Sequence, residues 1–156
     1  MKVPFALLGI LLASQSIACT YDRADQDLKL RQLAGRVHGE LDAAAQTVRW
    51  QADGRKYTVV YGGCDHLGHR VEMVSAGQAL SDSQLLDQAR ELAQAYWPPG
   101  ESALLMRALE SGQWTRENTG AGLRLDITGT DYSEMYVQTR VAEGSVTVEI
   151  AWVRDF

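Results

Sequence analysis

Residues 47–61 read TVRWQADGRKYTVVY. Val48 and Trp50 alternate with Thr47, Arg49 and Gln51. After Ala52-Asp53-Gly54-Arg55 the alternation resumes, Tyr57, Val59 and Tyr61 against Lys56, Thr58 and Val60. Period two marks a strand with one buried face. Asp-Gly supplies the positive φ angles of a tight hairpin, and strands joined by so short a turn run antiparallel. Arg70 to Ser75, with Val71 and Met73 on one face, continues the pattern as a third strand. The chain therefore opens its sheet as a meander.

Downstream the period changes. Leu80 to Trp97 is the best-specified helix. Ser81 and Gln84 match a capping box, and Leu80 can staple onto Leu85. Leu85, Ala89, Leu92 and Tyr96 form its apolar stripe. Pro98-Pro99-Gly100 stops it, because proline cannot continue the hydrogen-bond ladder. A shorter helix is expected over Glu101–Ser111, with Leu105, Ala108 and Leu109 inward and Gly112 ending it. Period two then returns, first over Gln113 to Asn118. Leu123, Leu125 and Ile127 alternate with Arg124, Asp126 and Thr128. Met135, Val137 and Val141 oppose Glu134, Tyr136, Gln138 and Arg140, and Val146, Val148, Ile150 and Trp152 give the clearest alternation.

Upstream, residues 22–45 allow two chain paths. Leu30, Leu33, Val37, Leu41 and Ala44 recur at helical spacing, and Asp22, Asp25 and Asp27 suit a helix N-terminus. Gly35 and Gly39 weaken a continuous helix by about 1 kcal/mol each. The alternative path ends the helix at Gly35 and makes Arg36 to Leu41 a strand.

Together these elements predict an α+β fold. An antiparallel sheet of about six to eight strands, in two meanders, carries helices at about 81–97 and 101–111 on one face, the usual cover for a one-sided apolar sheet. An N-terminal helix completes it. At 156 residues the chain suits one domain, expected over residues 19–156.

Residues 1–18 resemble a secretory signal peptide. Lys2 precedes the apolar run Phe5 to Leu12, and Ser16-Ile17-Ala18 offers small residues for cleavage. The run is shorter than the roughly 20 residues a membrane helix needs. The expected location is the periplasm or the medium. Losing Lys2 lowers the 15 Lys and Arg to 14 against 20 Asp and Glu, a formal charge of −6. Such a balance argues against nucleic acid, which needs basic patches, and against anionic lipid. It leaves room for a basic envelope protein as partner.

Cleavage would make Cys19 the first mature residue, with three fates. Export favours a Cys19–Cys64 disulfide, since two cysteines form one pair in an oxidising compartment. A cysteine at that position also resembles a bacterial lipoprotein, whose lipid would anchor the chain to the envelope. Ser16 and Ile17 depart from that pattern. The third fate leaves both thiols free. A continuous helix over 22–45 would span about 36 Å and carry Cys19 away from Cys64, whose Cα atoms must approach within about 7 Å to bridge. The disulfide therefore goes with a broken helix.

Chemistry concentrates in Tyr61-Gly62-Gly63-Cys64-Asp65-His66-Leu67-Gly68-His69. Cys64, His66 and His69 are the side-chain types zinc and copper prefer, although their spacing matches no recurrent zinc motif. As a strand connection, the same stretch presents Asp65, His66 and His69 as contact residues. Tyr136 joins them, since it shares the polar side of its strand and exposed tyrosine marks interfaces. Asp126, Asp131 and Glu134 are the carboxylates a glycan or cell-wall hydrolase would draw on. No nucleophile elbow or phosphate-cradling loop is present, so no catalytic residue and no cofactor is assigned. The leading expectation is a non-enzymatic binding module: an inhibitor, immunity-like or accessory protein. A metal-binding envelope protein and a hydrolase follow.

Overall fold

A computed structural model describes residues 22–62 and 66–155 of the chain. The signal peptide, Cys19, Cys64 and Asp65 lie outside the described residues, and the disulfide with them. Helix α1 spans Arg23–Val37. Strands β1 (Glu40–Asp42), β2 (Thr47–Ala52), β3 (Arg55–Tyr61) and β4 (His66–Ala76) follow. Helices α2 (Asp82–Tyr96) and α3 (Pro99–Ser111) come next, then β5 (Trp114–Thr119), β6 (Gly122–Ile127), β7 (Glu134–Ala142) and β8 (Ser145–Asp155).

All eight strands form one antiparallel sheet in the order β1-β2-β3-β4-β8-β7-β6-β5. Each half is a meander, and the halves meet where β4 pairs with β8 over eleven residue pairs, from His66↔Asp155 to Ala76↔Ser145. Alternation assigns the faces as the sequence predicts. Val48, Val59, Val71, Val137, Val148 and Ile150 are fully buried beneath the helices together with Leu30, Leu85 and Leu105. α1 packs on β1 and β2, α2 on β8, β4 and α3, and α3 also on β6. Nothing among the described residues covers the opposite face. No described helix is long and apolar enough to cross a membrane.

Three boundaries differ from expectation, each for a local reason. The first helix runs through Gly35 and ends at His38, which takes the left-handed conformation at φ 52° and ψ 40°. The next amide, Gly39, closes on the Ala34 carbonyl at 2.9 Å. Gly39 is the glycine that matters: a β-carbon there would sit 2.9 Å from the Arg49 carbonyl oxygen, whereas one at Gly35 would meet nothing. The strand expected from Arg36 therefore begins only at Glu40. Helix α3 starts at Pro99 rather than Glu101, since proline is favoured where the first helical amide needs no partner. Strand β4 begins at His66 rather than Arg70, because β8 extends far enough to pair with it. The connection from β3 to β4 shrinks to residues 62–65. The capping box at Ser81 forms as predicted, with Gln84 and Ser81 bonded in both directions.

Candidate functional site: the uncovered face of the sheet

On the uncovered face, the pairing lines up Arg49, Thr58, Glu72, Glu149, Gln138, Arg124 and Glu117 in one row across seven strands. Glu72 and Glu149 stand directly opposite each other, an arrangement that destabilises a ladder unless a cation intervenes. Arg140 intervenes: its Nη2 donates to Glu72 Oε2 at 2.9 Å and to Glu149 Oε2 at 3.2 Å. The other oxygen of Glu149 accepts from the Tyr136 hydroxyl at 2.7 Å and from Gln138 Nε2 at 3.0 Å. Glu149 is only 3% exposed although it lies on the face without helices. Neighbouring side chains, rather than another layer, enclose it.

Tyr136 is held from a second side. The Arg124 guanidinium lies 3.9 Å from the centre of its ring, a cation–π contact. Arg124 itself is fixed by Asp126 at 2.7 Å and Glu134 at 3.7 Å. Burial, followed by the bond to Glu149, pushes the Tyr136 phenol up to about 12. It therefore remains a proton donor to Glu149 throughout the neutral range.

Beside Tyr136 the surface dips into a shallow slot of about 250 Å³. Gly62, Gly68 and Ala151 leave the space, Val60 and Val153 make it apolar, and Arg70 and Tyr136 stand at it. Gly68 cannot be replaced without movement, because a β-carbon would collide with the Trp152 carbonyl oxygen. Arg70 is exposed and forms no ion pair with a described residue.

Of the predicted site residues, Tyr136 lies here, half-buried. His69 lies on the other side of the sheet. Its ring stacks on Tyr61 with centroids 3.9 Å apart, lies 4.8 Å from Trp152 and is 4% exposed, out of reach of a surface partner. Burial, with Lys29 adding to it, lowers its pKa to about 3, so it is neutral. His66 begins β4 opposite Asp155; Asp65 and Cys64 are outside the described residues. Among the described residues no group of three metal-ligating side chains comes together. Of the three carboxylates considered for hydrolysis, Asp126 and Glu134 share Arg124, while Asp131 is exposed in the turn before β7. Sequence reasoning missed Glu149, Glu72, Arg140 and Arg70, whose association depends on strands far apart in the chain.

The chain matches no protein-family model, no curated protein and no solved structure.

Proposed function

We propose that this chain is an exported, non-enzymatic binding module of the bacterial envelope, and that the uncovered sheet face is its contact surface. The observation that carries this reading is the enclosed carboxylate of Glu149. Its three donors hold Tyr136, Gln138 and Arg140 in fixed positions. A preordered polar surface loses little side-chain freedom when a partner docks, which favours binding. The signal-peptide resemblance of residues 1–18 supports export.

The partner that fits is a folded protein presenting an acidic side chain. On the face, Glu149, Glu72, Asp126 and Glu134 are already paired with arginines, whereas Arg70 has no ion-pair partner among the described residues and stands beside the apolar slot. A carboxylate on a short aliphatic stem fills that slot and pairs with Arg70. This favours an acidic partner over the basic one that net charge suggests. Capture from envelope extract tests it. A specific protein should be retained by the wild type and by Arg90→Glu on α2, and lost with Arg70→Glu and Tyr136→Ala. Equal capture by all four chains refutes the assignment of this face.

A further inference from the structure

A second cleft lies on the helix side, between α1 and the corner where α2 passes into α3. Its volume is about 290 Å³, near the lower end for small-molecule sites, which begin at roughly 300 Å³. Lys29, Gln32 and Arg36 reach it from one stripe of α1. Tyr61 enters from the end of β3, and Tyr96 and Trp97 from the end of α2. A helix packed on a sheet usually turns apolar residues toward its neighbours. α1 does so with Leu30, Leu33 and Ala34, yet it presents two cations and an amide to this cleft.

The polar groups here are almost all donors. No acidic residue lines the cleft. Lys29 pairs with Asp25 at 2.6 Å on its own helix, with both side chains near half exposed. Such a surface pair contributes at most about 1 kcal/mol and yields readily to a better anion. Arg36 makes one long contact, 3.3 Å, to the Ala95 carbonyl, and the rest of its fork has no partner among the described residues. The Trp97 indole Nε1 has no hydrogen-bond partner among the described residues, although Trp97 is only 6% exposed. The Trp114 and Trp152 indoles share this feature away from the cleft, so what sets the cleft apart is its pairing of cations with rings. Burial raises the pKa of Tyr61, Lys29 and Arg36 oppose the rise and Asp25 adds to it, which places both cations, and the carboxylate that Lys29 pairs with, near the phenol. His69, behind Tyr61, is neutral and adds no charge.

We propose that this cleft binds a small organic anion with a flat ring, an aryl carboxylate in its simplest form. The carboxylate lies between Lys29 and Arg36, and the ring packs among Tyr61, Tyr96 and Trp97. The rings supply apolar contact area and the guanidinium supplies a planar fork that matches a carboxylate. The site is independent of the uncovered face, since it lies on the other side of the sheet.

The test uses the intact, exported chain labelled with nitrogen-15. It is titrated with benzoate and, separately, with inorganic phosphate, while the Trp97 indole N–H resonance is followed. Benzoate should shift this resonance saturably. Lys29→Gln and Arg36→Gln should each weaken benzoate binding by about tenfold without changing thermal unfolding, because both side chains are exposed. Arg70→Glu should leave benzoate binding unchanged, so this site and the sheet face fail or survive separately. Either of two results overturns the proposal: no saturable shift with benzoate, or an equal response to phosphate, which reduces the cleft to a spot that attracts any anion.

Discussion

His69 and Glu149 lie on the same β4–β8 ladder, on opposite faces, exposed by 4% and 3%. Each is a titratable group removed from water. On the helix side, His69 is enclosed by rings and its Nδ1 has no partner among the described residues. On the open side, Glu149 keeps its charge environment satisfied by a phenol, an amide and a guanidinium. The two faces show two ways of placing a polar group in a low-dielectric site. One keeps it neutral, and the other surrounds it with donors. The first arrangement stabilises one packed interior. The second produces a rigid surface.

That contrast breaks first with pH. The folded pKa of His69, about 3, lies below its unfolded value of about 6.5. Between these values the unfolded chain binds the extra proton, so stability from this residue is complete above about pH 6.5 and is lost as pH falls toward 3. The loss approaches 1.4 kcal/mol per pH unit, about 2 kcal/mol at pH 5. Lys29, the one charge that contributes, is cationic throughout and does not alter the sign. Urea unfolding of wild type and His69→Phe at pH 7 and pH 5 reads this out. The variant should lose much less stability on acidification, and parallel losses would show that His69 is not buried as a neutral ring.

On the other face, Arg140→Ala removes the cation that separates Glu72 from Glu149. Breaking a buried pair costs about 3–5 kcal/mol. Arg140 is 46% exposed, so water screens part of the loss, and about 1–2 kcal/mol is expected. The double variant with Glu72→Gln should recover part of it, because one of the two opposed charges is gone. Denaturant midpoints that show no recovery would mean that Arg140 acts by covering Glu149 rather than by balancing charge.

The smallest effect belongs to α1. Gly35 is exposed, and a β-carbon there would meet nothing. Gly35→Ala should therefore stabilise the chain by about 0.5–1 kcal/mol. A destabilised variant would move the end of the helix back to Gly35.

The sequence made much of this legible. Strict alternation in residues 47–61 and 146–152 assigned the covered face, and Ser81 with Gln84 located the start of α2. It also offers glycine as a device for ending the first helix, at Gly35, beside a path with no break. The glycine that counts is Gly39, whose need comes from the close approach of β2. The register of His69 with Val71 and Met73 was visible, since all three share odd positions of one strand. The glycines around it suggested a loop instead. Glu149 was beyond local reading. Alternation places it on the polar face, and only the neighbouring positions of β4, β7 and β8 reveal that it is enclosed there. Strand order is set by long-range pairing, and no local period records it.

The seam between β4 and β8 has a kinetic consequence. Each meander is made of neighbours in sequence, which find one another quickly, whereas the seam joins strands separated by α2, α3 and three other strands. Closing so large a loop carries an entropic cost that local hairpins avoid, and such pairings slow folding. His69 meets Trp152, and Glu149 meets Arg140 and Glu72 together, only when this seam is in place. The Trp152 contact of His69 and the Arg140 bridge to Glu72 therefore form in the same late event, and neither half of the chain alone brings Arg70 beside Tyr136.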